Sequence, residues 1–180
     1  MTANVRPVRL GLGRRGAWAA LLTGVGALGV VEFSVLHLLA NGLFPSTIAL
    51  IVDLVAGIPT AALILAVATP LWSTHRLDRT GLHLRFGWLA AIDIPLNLID
   101  TAAAYRPPVQ HPAQTGLDFD EKSSRWTAIR SPSSALVRID LTEPIPARTQ
   151  GWRRVSAQSV VISVDNAEDF CSAVDSVRSD

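Results

Sequence analysis

Between Ala17 and Trp72 the chain carries two long apolar segments, Ala17–Ala40 and Thr47–Trp72, joined by the short uncharged link Asn41–Ser46. A helix of about 20 mostly apolar residues crosses the hydrocarbon core of a bilayer, and both segments reach that length. Backbone polar groups in lipid must be satisfied within the segment itself, so a pair of spans has to be helical. The sequence therefore predicts a transmembrane helical hairpin over residues 17–72. The chain beyond Trp72 is long enough for one soluble domain with a small core of its own.

Charge orients the hairpin. Arg6, Arg9, Arg14 and Arg15 precede the first segment without an acid among them, and His75, Arg76, Arg79 and Arg85 come after the second. Basic residues collect on the cytoplasmic side of inserted helices, and indoles collect at the interfaces. Arg14, Arg15, Trp18, Trp72 and Arg76 are thus expected at the membrane interface, with both termini cytoplasmic and the link outside. The expected location is the cell inner (cytoplasmic) membrane, crossed twice. An uncleaved first helix is favoured over a signal peptide, since the apolar run exceeds a signal core and a second span comes at once.

Residues 1–16 read as a basic cytoplasmic arm facing anionic headgroups. Gly11-Leu12-Gly13-Arg14-Arg15-Gly16 matches the G-x-G-x-x-G string, but no strand precedes it and no crossover helix succeeds it, so it carries no nucleotide reading. Gly24, Gly26, Gly29 and Gly57 offer small surfaces for helix contact, and Pro59 is expected to kink the second helix.

After the hairpin the texture changes to period two. Leu82, Leu84 and Phe86 alternate with His83 and Arg85, and Ile92, Ile94 and Leu96 alternate again. Leu98–Ala104 fits a strand or a short helix. Residues 106–124 read as a loop, and strand texture returns at Trp126–Arg130, Ala135–Leu141 and Ser159–Val164. Asp165 reads as the N-cap of a closing helix, with Glu168 three residues on and Phe170, Cys171, Val174 and Val177 on its apolar face. This domain, residues 75–178, is expected to fold without the hairpin.

The run Thr80-Gly81-Leu82-His83-Leu84-Arg85-Phe86-Gly87, then Ile94-Pro95-Leu96, and the ending Val160–Asn166 with Phe170, resembles the bacterial pleckstrin-homology-like (PH-like) domains. Such domains often come after two membrane helices, as here. The resemblance implies a small antiparallel β-barrel or bent sheet with a C-terminal capping helix, hence an α+β membrane protein, in a family mostly without assigned activity. Relatives that bind phosphoinositides use basic residues in the first hairpin loop. Here Trp88-Leu89-Ala90-Ala91 stands after Gly87, so headgroup binding is not carried over.

No nucleophile elbow, zinc-helix motif or phosphate loop occurs, and the single cysteine, Cys171, excludes a thiolate metal cage or an internal disulfide. Asp118, Asp120 and Glu121 lack the glycine and spacing of a calcium loop. His75, His83 and His111 read as surface residues. No enzyme activity, metal or cofactor is expected. Basic and acidic side chains nearly cancel after Trp72, which excludes a nucleic-acid partner.

Glu32, His37 and Asp53 stand apart as the only ionisable residues inside the hairpin. Such groups are costly in lipid and face a partner. Three readings stay open: a polar contact joining the helices, a surface for a partner protein, and a proton path that requires oligomerisation. The expected function is a membrane-anchored PH-like interaction or scaffold module. The alternative is an accessory subunit of a transporter or other membrane complex, acting through this polar cluster. The expected partners are the lipid bilayer and another membrane or cytoplasmic protein, with self-association open.

Overall fold

The structure is a computed structural model that describes residues 8–110 and 112–179. Arg6 and His111 lie outside the described residues. The architecture is α+β: two long N-terminal helices, an open mixed sheet and a C-terminal helix.

Helix α1 spans Gly16–Leu43 and α2 spans Ser46–Ala68. Both are long and apolar enough to cross a membrane, and few of their apolar side chains are buried. The turn between them is short because each helix end is closed by backbone. The Phe44 N–H donates to Ala40 O (3.0 Å), and Pro45 O accepts from the N–H groups of Ile48 and Ala49. The helices pack antiparallel. Gly29 lets Thr60 and Ile64 close in, and Gly57 does the same for Phe33, whereas Gly24 and Gly26 face open space. Helix α2 continues through Pro59 to Ala68 and ends in a 3-10 turn, Thr69–Leu71.

Nine strands among the described residues form one sheet. They are β1 (Val8–Leu10), β2 (His75–Leu77), β3 (Gly81–Phe86), β4 (Ala90–Pro95), β5 (Ile99–Tyr105), β6 (Gly116–Asp120), β7 (Arg125–Ile129), β8 (Ala135–Thr149) and β9 (Arg153–Val164). The order is β1-β2-β3-β4-β8-β9-β7-β6, with β5 paired to the first half of β8. The period-two pattern of β3 and β4 does what it predicts: Leu82, Leu84, Phe86, Ile92 and Ile94 are buried, and His83, Arg85 and Asp93 face outward. Val137, Ile139, Val160, Ile162 and the fully buried Trp126 complete the core. Helix α3 (Ala167–Ser179) closes it with Phe170 and Val174.

Several expectations change. The sheet does not close into a barrel, and β7 runs parallel to β9, so it is not purely antiparallel. The supposed loop 106–124 contains β6, which pairs with β7 from Gly116↔Ile129 to Asp120↔Arg125. Strand β4 begins at Ala90, which confines the turn to Gly87-Trp88-Leu89. Strand β8 runs on to Thr149 through Pro144 and Pro146, with a register shift between Asp140 and Ile145. A proline has no N–H to give a ladder, and a bulge is where a strand tolerates one.

The arm is not free either. Val8–Leu10 is the edge strand beside β2 (Arg9↔Arg76), and Leu12 is buried in the domain core. Asp165 does not cap α3: its Oδ1 accepts the Gly13 N–H at 2.9 Å. The cap is Asn166, whose Oδ1 accepts from Glu168 N at 2.9 Å and Asp169 N at 3.5 Å. Both residues have capping side chains; the pull of Gly13 decides between them. Asn166→Ala should therefore cost about 1 kcal/mol, the usual worth of such a cap, measured by urea denaturation of the full chain in detergent. No loss would return the capping role to Asp165.

Candidate functional site

Of the three ionisable residues in the hairpin, the fold joins two. His37 Nδ1 lies 2.8 Å from Asp53 Oδ2, and Phe33 stacks on the imidazole with ring centroids 6.2 Å apart. Asn41 Nδ2 reaches both His37 Nδ1 (3.2 Å) and the His37 carbonyl (2.9 Å). Asp53 Oδ1 is buried without a partner. At about 1.5 Å of rise per residue, this polar group sits about 10–12 Å below the Phe44–Pro45 turn. Glu32 is not part of it. It lies more than a turn deeper on an exposed face of α1 and makes no hydrogen bond or ion pair with the described residues.

The residues expected at the interface divide as well. Trp72 is exposed, as are Arg14, Arg15 and Arg76. Trp18 is buried: its Nε1–H donates to Val67 O at 2.7 Å, and its ring meets Phe86 edge-on at 4.9 Å. This indole joins α1, α2 and β3 rather than facing lipid.

Around Trp18 lies a buried polar junction that no local sequence pattern announces. Arg130, at the end of β7 and 3% exposed, donates to Pro70 O (3.3 Å) and closely to Gly13 O. Its main-chain N–H donates to Ser163 Oγ at 2.9 Å, and that hydroxyl donates to Leu12 O at 2.7 Å. One guanidinium therefore ties together the entry to α1, the exit of α2 and the sheet. Burial and the nearby Arg15 charge lower its proton affinity, and Asp165 raises it; an arginine stays charged through such shifts.

The glycine string of the arm finds its explanation here. A Cβ on Gly11 would overlap the Asp165 carboxylate, and Gly13 has φ 84° with Ser134 and the Val164 carbonyl against it. The glycines serve close packing rather than a phosphate. Gly87 (φ 60°) plays the same part at the other end, pressed against Thr69 while its N–H donates to Ser73 Oγ at 2.8 Å. His75, expected on the surface, is 1% exposed. Burial and the Arg130 charge push its imidazole down to about 3, against a weaker opposing pull from the Ser163 main chain. Neither ring nitrogen makes a well-aligned hydrogen bond.

On the outer face, Arg9, Thr74, Arg76, Asp78, His83 and Arg85 line a cleft of about 620 Å³. Its charges are mostly matched. His83 lies 2.6 Å from Asp93 and 3.4 Å from Asp78, and Arg85 lies 2.9 Å from Asp93. Burial alone would raise the Asp93 carboxyl, but hydrogen bonds from His83 and Arg85 and the Arg85 charge hold it below its ordinary range. No grouping of three or more His, Cys, Asp or Glu able to hold a metal occurs among the described residues. Compared with protein-family models, curated proteins and solved structures, the chain matches none of them.

Proposed function

We propose that this chain is an inner-membrane interaction module: α1 and α2 cross the bilayer, and the sheet domain is held at fixed orientation on the cytoplasmic side to engage another protein. The observation that carries the reading is the contrast between two apolar helices that bury few of their side chains and a sheet domain with its own core, locked together by Arg130 and Trp18. A soluble protein leaves no such continuous apolar surface uncovered. A junction that ties both helix ends to the sheet suits presentation of a surface, not a tethered domain on a loose linker. The reading assigns it no catalysis and no cofactor. A PH-like relationship is supported by the two-helix layout, the succession of hairpins and the closing helix; the parallel β7–β9 pair and the open sheet are departures from it.

Reporter fusions test the topology. A fusion after Ser179 should be active only with a cytoplasmic reporter, and one in Asn41–Ser46 only with an exported reporter; the reverse would overturn the orientation. Cross-linking in intact cells then tests the module, which should capture its partner through sheet-domain positions.

A second reading, an accessory subunit of a membrane complex, is favoured by one observation, the exposed Glu32 without a partner among the described residues. An ionisable group at mid-membrane costs at least about 2.5–3.5 kcal/mol unless something offsets it. If another membrane protein supplies that offset, Glu32→Gln should abolish co-purification while leaving insertion and abundance unchanged. Asp53→Asn, within the hairpin's own contact, should leave co-purification intact.

A further inference from the structure

We propose that Trp72, Trp88 and Trp152, with Arg148 and Arg154 beside them, form a face of the sheet domain that lies against the anionic headgroup layer of the membrane crossed by its own hairpin. The inference rests on the membrane reading above and adds a surface, a partner chemistry and residues on three separate segments. Trp72 is 71% exposed, Trp88 66% and Trp152 84%, against full or nearly full burial of Trp18 and Trp126. Indoles left this open in water are unfavourable, whereas the headgroup region accepts both their apolar ring and their N–H.

The three belong to one level of the molecule. Trp72 directly succeeds the turn that ends α2. The Trp88 N–H donates to Thr69 Oγ1 in that same turn at 2.9 Å. Gly151, next to Trp152, donates its N–H to Leu89 O, next to Trp88, at 2.7 Å. Two β-turns are thus hydrogen-bonded in series to the end of a helix that runs into the bilayer. Each of them carries an exposed tryptophan.

Two of the charges near that rim lack an ion-pair partner among the described residues. Arg85, Ala91, Arg148 and Arg154 stand in one register row across β3, β4, β8 and β9, so they share the outer face. Arg85 is matched by Asp93, and Arg153 by Glu121 at 2.6 Å. Arg148 and Arg154 are direct cross-strand neighbours, both exposed, and neither forms an ion pair among the described residues. Like charges opposite each other weaken a strand pair. An anionic lipid surface removes that penalty, and its attraction favours the anionic lipid about fivefold for each arginine near it.

The test uses the full chain in vesicles of phosphatidylglycerol and phosphatidylcholine. A bimane label is placed at Trp152→Cys in a Cys171→Ser background. Glu143→Cys serves as control, lying in the register shift of β8 about 20 Å of strand from Thr149. Label at position 152, but not at 143, should be quenched by headgroup spin-labelled lipid, with spin-labelled phosphatidylglycerol several-fold more effective than phosphatidylcholine. Adding Arg148→Gln and Arg154→Gln should abolish that preference. Equal quenching by both lipids, or a preference that survives the double substitution, would overturn the proposal. Quenching at 152 only by aqueous iodide, in chain that stays in alkali-washed vesicles, would overturn it while leaving the hairpin reading intact. Chain extracted by alkali would overturn both.

Discussion

Replacing Arg130 with Met should destabilise the full chain in detergent by about 3–5 kcal/mol, read as a shift in the midpoint of denaturant unfolding. Exchanging a buried charge for an apolar side chain is often neutral, because the cost of desolvating the charge disappears with it. Here the acceptors are the Gly13 and Pro70 carbonyls, which belong to the backbone and stay buried after the substitution. Each then loses a charge-assisted bond and regains no water. Arg130→Lys should recover part of the loss, since one ammonium cannot reach both carbonyls with the geometry of a guanidinium fork. A loss under about 1 kcal/mol for Arg130→Met would mean that the junction is held by apolar contact around Trp18 alone.

Acidification from pH 7 to pH 4.5 should remove about 3 kcal/mol of stability through His75 alone. Its pKa in the fold is lowered to about 3 from an ordinary value near 6.5. A depressed pKa means that the unfolded chain takes up the proton first. The contribution is therefore complete above about pH 6.5 and is lost progressively as pH falls toward 3, where the folded form also protonates. At 1.36 kcal/mol per unit, the full window amounts to about 5 kcal/mol. The carboxyl groups of Asp78 and Asp93, held below their ordinary range, lose their own contributions only under about pH 4. His75→Leu should flatten the slope between pH 6.5 and 4.5 and leave stability at pH 7 equal or higher. It removes an imidazole that has no well-aligned hydrogen bond. An unchanged slope in that variant would rule out His75 as the source of the effect.

The features legible in the sequence are those written in local periodicity. Two apolar runs define α1 and α2, alternation at Leu82–Phe86 and Ile92–Ile94 defines β3 and β4, and helical spacing of Phe170 and Val174 defines the core side of α3. Each arises from a side-chain repeat that one segment carries by itself. The depth of His37 and Asp53 was equally readable, because a tight link makes residues at equal distances from it face each other. Which of the three polar residues would meet was not readable. Pairing also depends on rotation about each helix axis, and Gly29 and Gly57 set that rotation by the neighbours they admit.

The sequence by itself determined a hairpin of two apolar helices, a strand-rich domain after it and a closing helix. Tertiary structure alone decided that residues 8–13 belong to that domain, that Asp165 holds Gly13 while Asn166 caps α3, and that Trp18, His75 and Arg130 form a buried joint. It also decided the parallel pairing of β7 with β9 and the strand hidden at Gly116–Asp120. In each of these the partner lies far along the chain, as with Gly13 and Asp165 or Arg130 and Pro70. A capping carboxylate, a glycine pair and a lone arginine have the same local pattern whether or not such a partner arrives. The energy that selects among their roles comes from desolvation and from bonds to distant backbone, and those exist only once the sheet has closed over the base of the hairpin.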